Sequence, residues 1–256
     1  MARIRSIIRC YFLERRHTAL LVVIIAAFAA RPVLYDSAVS HLVFSPALLL
    51  LMLIALYTIQ IDELIGERSA LVAERKWMAA IGWLLFVMAT IERIITIVAP
   101  SPTVYLAGSI TWTLFSSFIT WNELRAVLRQ KTVTSETISM SVSVYLLIGL
   151  TFGFIYVVMH QLQPHAFSFP SLVASNTRLS PESQDSLFTV LIYFSFTTLT
   201  TIGYGDITPL TLQARYVAVL EGIAGQFYIA VLVARLVAMQ MIAPAMGDSQ
   251  TRSEDR

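Results

Sequence analysis

The chain has 256 residues, 57% of them hydrophobic and only 13% charged, with a mean hydropathy of +0.72. A soluble domain carries about 25% charged residues, so this composition excludes an ordinary water-soluble fold and assigns the chain to a bilayer. The formal net charge of +2 excludes little, but Cys10, the one cysteine, excludes an intrachain disulfide and a cysteine-built metal site.

A bilayer-spanning helix needs about 20 mostly apolar residues. The first candidate, 17–35, follows a basic tail holding Arg3, Arg5, Arg9, Arg15 and Arg16, and its centre reads TALLVVIIAAFAA before Arg31 and Pro32 interrupt it. A basic tail, an apolar centre and Ala27-Phe28-Ala29 also describe a cleaved signal peptide, so a retained helix and a removed leader both fit. Further spans are expected at 42–61, 77–99, 103–122, 139–160 and 214–240. The 62–76 loop holds Arg68, Arg75 and Lys76, and the 122–136 linker holds Arg125, Arg129 and Lys131. The opposite side has Arg31 and Arg178, so the distribution orients both termini to the cytoplasm. Trp77 and Trp121 fall near the inner boundary, where indoles settle.

Within the third span, Glu92 and Arg93 are adjacent intramembrane charges. Neighbours in sequence point apart on a helix, so each needs its own partner, water or a snorkelling path, either to tie helices together or to tune gating. From Ile94 to Leu124 the only charged residue is Glu123. Moving one charge across the membrane yields about 2.3 kcal/mol per 100 mV, and steep gating draws on about 3–4 charges per subunit. The fourth span offers none, so strong voltage gating by this helix is not expected. Gly149 and Gly153 in the fifth span form a GxxxG pair that close helix packing accounts for.

Between the fifth and sixth spans, QLQPHAFSFPSLVASNTRLSPESQ reads as an exposed outer loop. DSLFTVLIYFSFTTLT follows, apolar but too short to cross, with Asp185 placed to cap it and complement its dipole. A re-entrant helix is expected. After it comes TTIGYGD, where Gly203 and Gly205 alternate with Ile202 and Tyr204. Irregular backbone at membrane depth persists only in protein or beside a water-filled cavity. Glycine readily takes positive φ, so the alternation lets consecutive carbonyls face one way and form hard-oxygen sites for a monovalent cation. Thr201 adds its hydroxyl at the lowest layer. One chain supplies one oxygen per layer, so the chemistry requires several copies around an axis.

Thr201-Ile202-Gly203-Tyr204-Gly205 resembles the TVGYG selectivity filter of potassium channels, with isoleucine for valine, in the family's position after a short helix and between two spans. The resemblance implies a homotetramer with potassium at the carbonyls of Thr201, Ile202, Gly203 and Tyr204. Tyr204 and Gly205 would form the outer end and Asp206 a cap behind it, supported by Tyr193, Phe194 and Thr200. Tyr193 and Phe194 match the aromatic pair that packs around the filter tyrosine, and plain helix packing explains them as well. In the sixth span, the resemblance makes Gly222 and Gly225 a gating hinge; close packing against the pore helix is the other reading. Glu221 beside them is an intramembrane carboxylate, a functional suspect with no partner nameable from sequence. Six spans with one pore loop resemble the voltage-gated branch, from which this chain departs by lacking its arginine-rich fourth helix.

The expected fold is thus an all-α membrane protein: six transmembrane helices, with a re-entrant pore helix and filter between the fifth and sixth, assembling as a tetramer. A cytoplasmic tail (1–16), a peripheral four-helix domain (17–136), a pore domain (137–242) and a short cytoplasmic tail with Pro244 (243–256) divide the chain. That last tail is too short for a nucleotide- or calcium-sensing module. His17, His41, His160 and His165 lack metal-ligand spacing, and no catalytic constellation appears, so neither an enzyme, a cofactor beyond permeant potassium, nor a nucleic-acid partner is expected. The compact, cysteine-poor chain fits a bacterial inner membrane. A less selective cation channel, an ion-coupled transporter and a non-conducting membrane sensor are the other readings. No second filter-like segment, such as the internal repeat of a transporter would bring, occurs.

Overall fold

Apolar runs in a bilayer must satisfy every backbone N–H and C=O internally, and helices do so within a single segment. The computed structural model describes residues 16–34, 49–57, 72–99, 101–130, 132–169 and 181–254. Helix α1 spans Arg16–Leu34, α2 is helical over 49–57, α3 spans Val72–Val98, α4 Pro102–Arg129 and α5 Ser135–Leu162. Strand β1 (Phe167–Ser168), α6 (Pro181–Leu199), β2 (Thr208–Pro209) and α7 (Leu212–Glu254) complete the order. This is an all-helical membrane protein apart from one two-residue bridge.

Three stretches are long and apolar enough to cross a bilayer among the described residues: Trp77–Thr96, Ser135–Leu162 and Leu212–Met239. They coincide with three of the six expected spans. The apolar part of α1, His17–Ala27, is shorter, and most of the 42–61 span lies outside the described residues. Helix α4 is as long as α5 but rich in hydroxyls. Ser109, Thr111, Thr113, Ser117 and Thr120 each donate to the carbonyl four residues earlier, so the helix satisfies them itself.

Several helix ends differ from expectation. Helix α1 runs through Arg31 and Pro32 to Leu34 without interruption. Helix α6 begins at Pro181, as proline's fixed φ favours at a first turn, so Asp185 sits inside the helix rather than at its cap; its side chain lies outside the described residues. Helix α7 continues through Pro244 to Glu254, so the backbone of the expected C-terminal tail extends the last helix. Cys10 and His41 also lie outside the described residues.

The helices pack through a main core that includes Leu20, Ile24, Phe115, Ile119, Leu147 and Leu191, all essentially fully buried, and through a second cluster around Val127, Met140 and Val144. Glu136, in the first turn of α5, accepts the His17 N–H at 3.2 Å and the Thr18 hydroxyl at 2.7 Å, so α1 and α5 begin at the same end of the bundle. Between α4 and α5, Ser116 and Thr120 meet Thr151 at 2.8 and 3.0 Å. The GxxxG pair faces α6: a Cβ on Gly149 would lie 2.7 Å from Phe196 Cζ, and one on Gly153 2.7 Å from Ile192 Cγ1. At the other end of α5, β1 and β2 pair antiparallel, Phe167 with Pro209 and Ser168 with Thr208. The Leu210 N–H extends this bridge by donating to the Ala166 carbonyl at 2.8 Å.

Candidate functional site

The last turn of α6 grows directly into the segment 200–206. Thr200 prolongs it, its hydroxyl and its N–H both donating to the Phe196 carbonyl at 2.6 and 3.0 Å. Thr201 N–H then reaches the Thr198 carbonyl at 3.0 Å, and Gly203 N–H the Thr197 carbonyl at 3.1 Å. These bonds fold the strip back against the end of the helix.

Backbone conformation alternates along the strip. Thr201, Gly203 and Gly205 have φ of +60°, +55° and +79°, and Thr201 is the only non-glycine residue with positive φ among those described. Ile202 and Tyr204, between them, keep the ordinary sign. Alternating handedness turns successive peptide planes so that carbonyls gather on one side and N–H groups on the other. Sequence reasoning located two of the three left-handed positions through their glycines; Thr201 carries no such signal. All of 201–206 is exposed in the single chain, Tyr204 at 70%.

The supporting residues divide. Tyr193 stacks on Tyr204 with ring planes 4° apart and centroids 6.4 Å apart, and its hydroxyl neighbours Asp206. Asp206 Oδ1 accepts the N–H of Ile207 at 3.0 Å. Phe194 turns the other way, edge-on to Tyr156 at 5.1 Å and Phe167 at 5.5 Å. Within one chain, then, only Tyr193 of the expected aromatic pair touches the strip.

Behind α6, three helices meet at Glu221, which is fully buried. Tyr156 of α5 donates its hydroxyl to Glu221 Oε2 at 2.5 Å, and Ser195 of α6 hydrogen-bonds Oε1. Ser195 Oγ also lies 2.6 Å from the Gly149 carbonyl. Neither partner was named from sequence, although a tyrosine or serine inside an apolar run does signal a polar group in need of company. Nearby, Tyr145 donates to the Leu199 carbonyl at 3.1 Å and Tyr228 to the Ser141 carbonyl at 2.7 Å.

The two glycines of α7 separate cleanly. A Cβ on Gly225 would fall 2.8 Å from both the carbonyl oxygen and Cδ1 of Leu199, whereas one on Gly222 would meet nothing within 4 Å. Gly225 packs closely against the end of α6. Lower on α7, Arg235 donates to the carbonyls of Leu128 and Gln130 at 2.6 and 2.7 Å, closing the end of α4.

Glu92 and Arg93 stand apart from the strip. Glu92 accepts the Thr96 hydroxyl at 2.6 Å and the Trp112 indole N–H at 3.3 Å, and its carboxylate occupies the space over Gly108, tying α3 to α4. Arg93, half-buried, makes an interaction of its own. No group of three or more metal-binding side chains occurs among the described residues, which do not include His41.

A short helix ending in a strip of alternating backbone handedness, set between two helices long and apolar enough to cross a membrane, fits a membrane pore module. Residues 142–241 match the family model described as "Ion channel", a family that is not enzymatic. The chain is 40% identical over 94 residues to Protein LctB of Bacillus caldotenax, covering 36% of this chain and 64% of that protein. It is 36% identical over 88 residues to Protein LctB of Geobacillus stearothermophilus, covering 34% and 60%. The chain thus spans less than two thirds of the length of these curated relatives. No solved structure matches it.

Proposed function

We propose that the chain is a potassium-selective channel, passively conducting potassium through a homotetrameric pore, with Thr201, Ile202, Gly203, Tyr204 and Gly205 as its filter. The observation that carries this reading is the alternation of left-handed backbone at Thr201, Gly203 and Gly205. Carbonyls aligned in this way can replace a cation's hydration shell when several chains contribute to each layer. One chain contributes one oxygen per layer, and four copies around an axis complete it.

Exposure in the single chain supports assembly. Helix α7 packs on its own subunit through a narrow stripe, Ala214, Ala218, Glu221, Gly225, Tyr228 and Leu232, at helical spacing. Tyr216, Leu220, Ile223 and Phe227 lie outside that stripe and are exposed, a surface for neighbouring copies and the water-filled cavity they would enclose. In this reading Asp206, Tyr193 and Thr200 support the filter, and residues 137–242 are the pore domain. Residues 17–136 form a peripheral bundle whose fourth helix lacks gating charges, in a protein of six crossings in a bacterial inner membrane with both termini on the cytoplasmic side.

The test is current through purified protein in a planar bilayer with potassium on one side and sodium on the other. A reversal potential driven toward the potassium equilibrium value is expected. A reversal potential near zero would overturn potassium selectivity and leave a general cation pore.

A further inference from the structure

Glu221 poses a problem of proton counting. Ser195 Oγ is within hydrogen-bonding reach of the Gly149 carbonyl, at 2.6 Å, and of Glu221 Oε1. A hydroxyl owns one proton, and a carbonyl can only accept. If Ser195 gives its proton to Gly149, the contact between Ser195 and Glu221 needs a second proton, and Glu221 is the one partner that can supply it. Tyr156 takes the other carboxyl oxygen as donor.

The alternative, an ionised Glu221, would leave a charge in a fully buried site to which α5, α6 and α7 bring no cation. Helices α5 and α6 contain no lysine or arginine. On α7 the nearest basic residues are Arg215 and Arg235, six and fourteen positions away. Both are engaged elsewhere, Arg215 with the Pro209 carbonyl at 3.1 Å and Arg235 with Leu128 and Gln130. Among the described residues, the ionisable groups facing Glu221 are the phenols of Tyr145 and Tyr156 on α5, and α6 brings the Ser195 hydroxyl. A buried charge without a counter-ion is among the costliest arrangements in a membrane, and neutralisation by a proton is its usual resolution.

We propose that Glu221 is a neutral carboxylic acid and the head of a directed hydrogen-bond chain. It donates to Ser195, Ser195 donates to the Gly149 carbonyl, and Tyr156 donates back to Glu221. The chain pins the inner helix α7 to both α6 and α5 without burying a net charge. Ser195 lies six residues before Thr201 on the helix whose last turn launches the strip, so Glu221 is a positioning residue for that strip. This role rests on the reading of 201–205 as a filter; the protonation does not.

Two measurements test it. Infrared difference spectra of the full chain in lipid, wild type minus Glu221→Gln, should show the carbonyl stretch of a protonated carboxylic acid. A carboxylate doublet in its place would overturn the proposal, whether or not the protein conducts. In parallel, Glu221→Gln, whose amide can donate to Ser195 and accept from Tyr156, should keep the number of conducting channels per reconstituted protein within about twofold of wild type, while Glu221→Ala should lower it about tenfold. A Gln variant no better than the Ala variant would overturn the positioning role. If wild type showed no potassium selectivity while the acid band was present, the filter reading would fail and the neutral Glu221 would stand.

Discussion

Replacing Gly225 with alanine separates bending from packing in α7. The new Cβ would lie 2.8 Å from the Leu199 carbonyl oxygen and from its Cδ1, where ordinary contact begins at 3.4 Å. The Leu199 methyl can rotate away. The carbonyl cannot, because it belongs to the last turn of α6 and is held by the Tyr145 hydroxyl at 3.1 Å. The end of α6 must therefore retreat by about 0.6 Å, and overpacking of this kind costs about 1–3 kcal/mol. Alanine's better helix propensity returns about 1 kcal/mol, leaving a net loss of up to about 2 kcal/mol. At Gly222 nothing lies within 4 Å, so the same substitution keeps the propensity gain alone. Thermal unfolding in lipid nanodiscs, read beside unitary currents, should show Gly225→Ala unfolding earlier than wild type and Gly222→Ala no earlier. Equal unfolding temperatures with equally altered opening in both variants is the behaviour of a hinge pair, and would refute the packing argument.

Gly203→Ala meets open space but must hold φ of +55°, which costs an L-residue about 1–2 kcal/mol; unitary currents should vanish and the unfolding temperature should fall by a few degrees. Tyr204→Asp removes the ring stacked on Tyr193 and should shift the potassium–sodium reversal potential toward zero; an unchanged value would count against Tyr204 as part of the filter. Gly108→Ala would drive a methyl into the Glu92 carboxylate and break its bonds to Thr96 and Trp112. It should lower stability by about 1–3 kcal/mol in thermal unfolding and leave unitary conductance at the wild-type value. Arg235→Gln weakens two charge-assisted bonds to the end of α4, each contributing about 1.5–3 kcal/mol, and amide exchange at residues 128–134 should accelerate.

Periodicity and apolar length made the helices legible, because a bilayer leaves the backbone few alternatives. The strip was legible too, because glycine advertises positive φ at 203 and 205. The same conformation at Thr201 was not, since the hydrogen bonds from Thr201 and Gly203 back to α6 impose it on a residue that does not favour it. Glu221 announced itself as a polar group in the wrong place, but its partners come from α5 and α6, 65 and 26 residues away, a separation no local pattern encodes. Gly222 and Gly225 looked alike in sequence and differ only in what faces them. Tyr193 and Phe194 are paired by the resemblance, but consecutive helical residues point in different directions, and within one chain Phe194 packs on Tyr156 and Phe167.

The bridge between β1 and β2 ties the stretch after α5 to the stretch after the strip with main-chain atoms alone. A fastening of that kind does not depend on side-chain identity. Ser168 and Thr208 face outward from it, so their positions are free to drift between related proteins while the rim keeps its shape. Surface chemistry at this end of the molecule can therefore diversify without disturbing the backbone pairing that follows the strip.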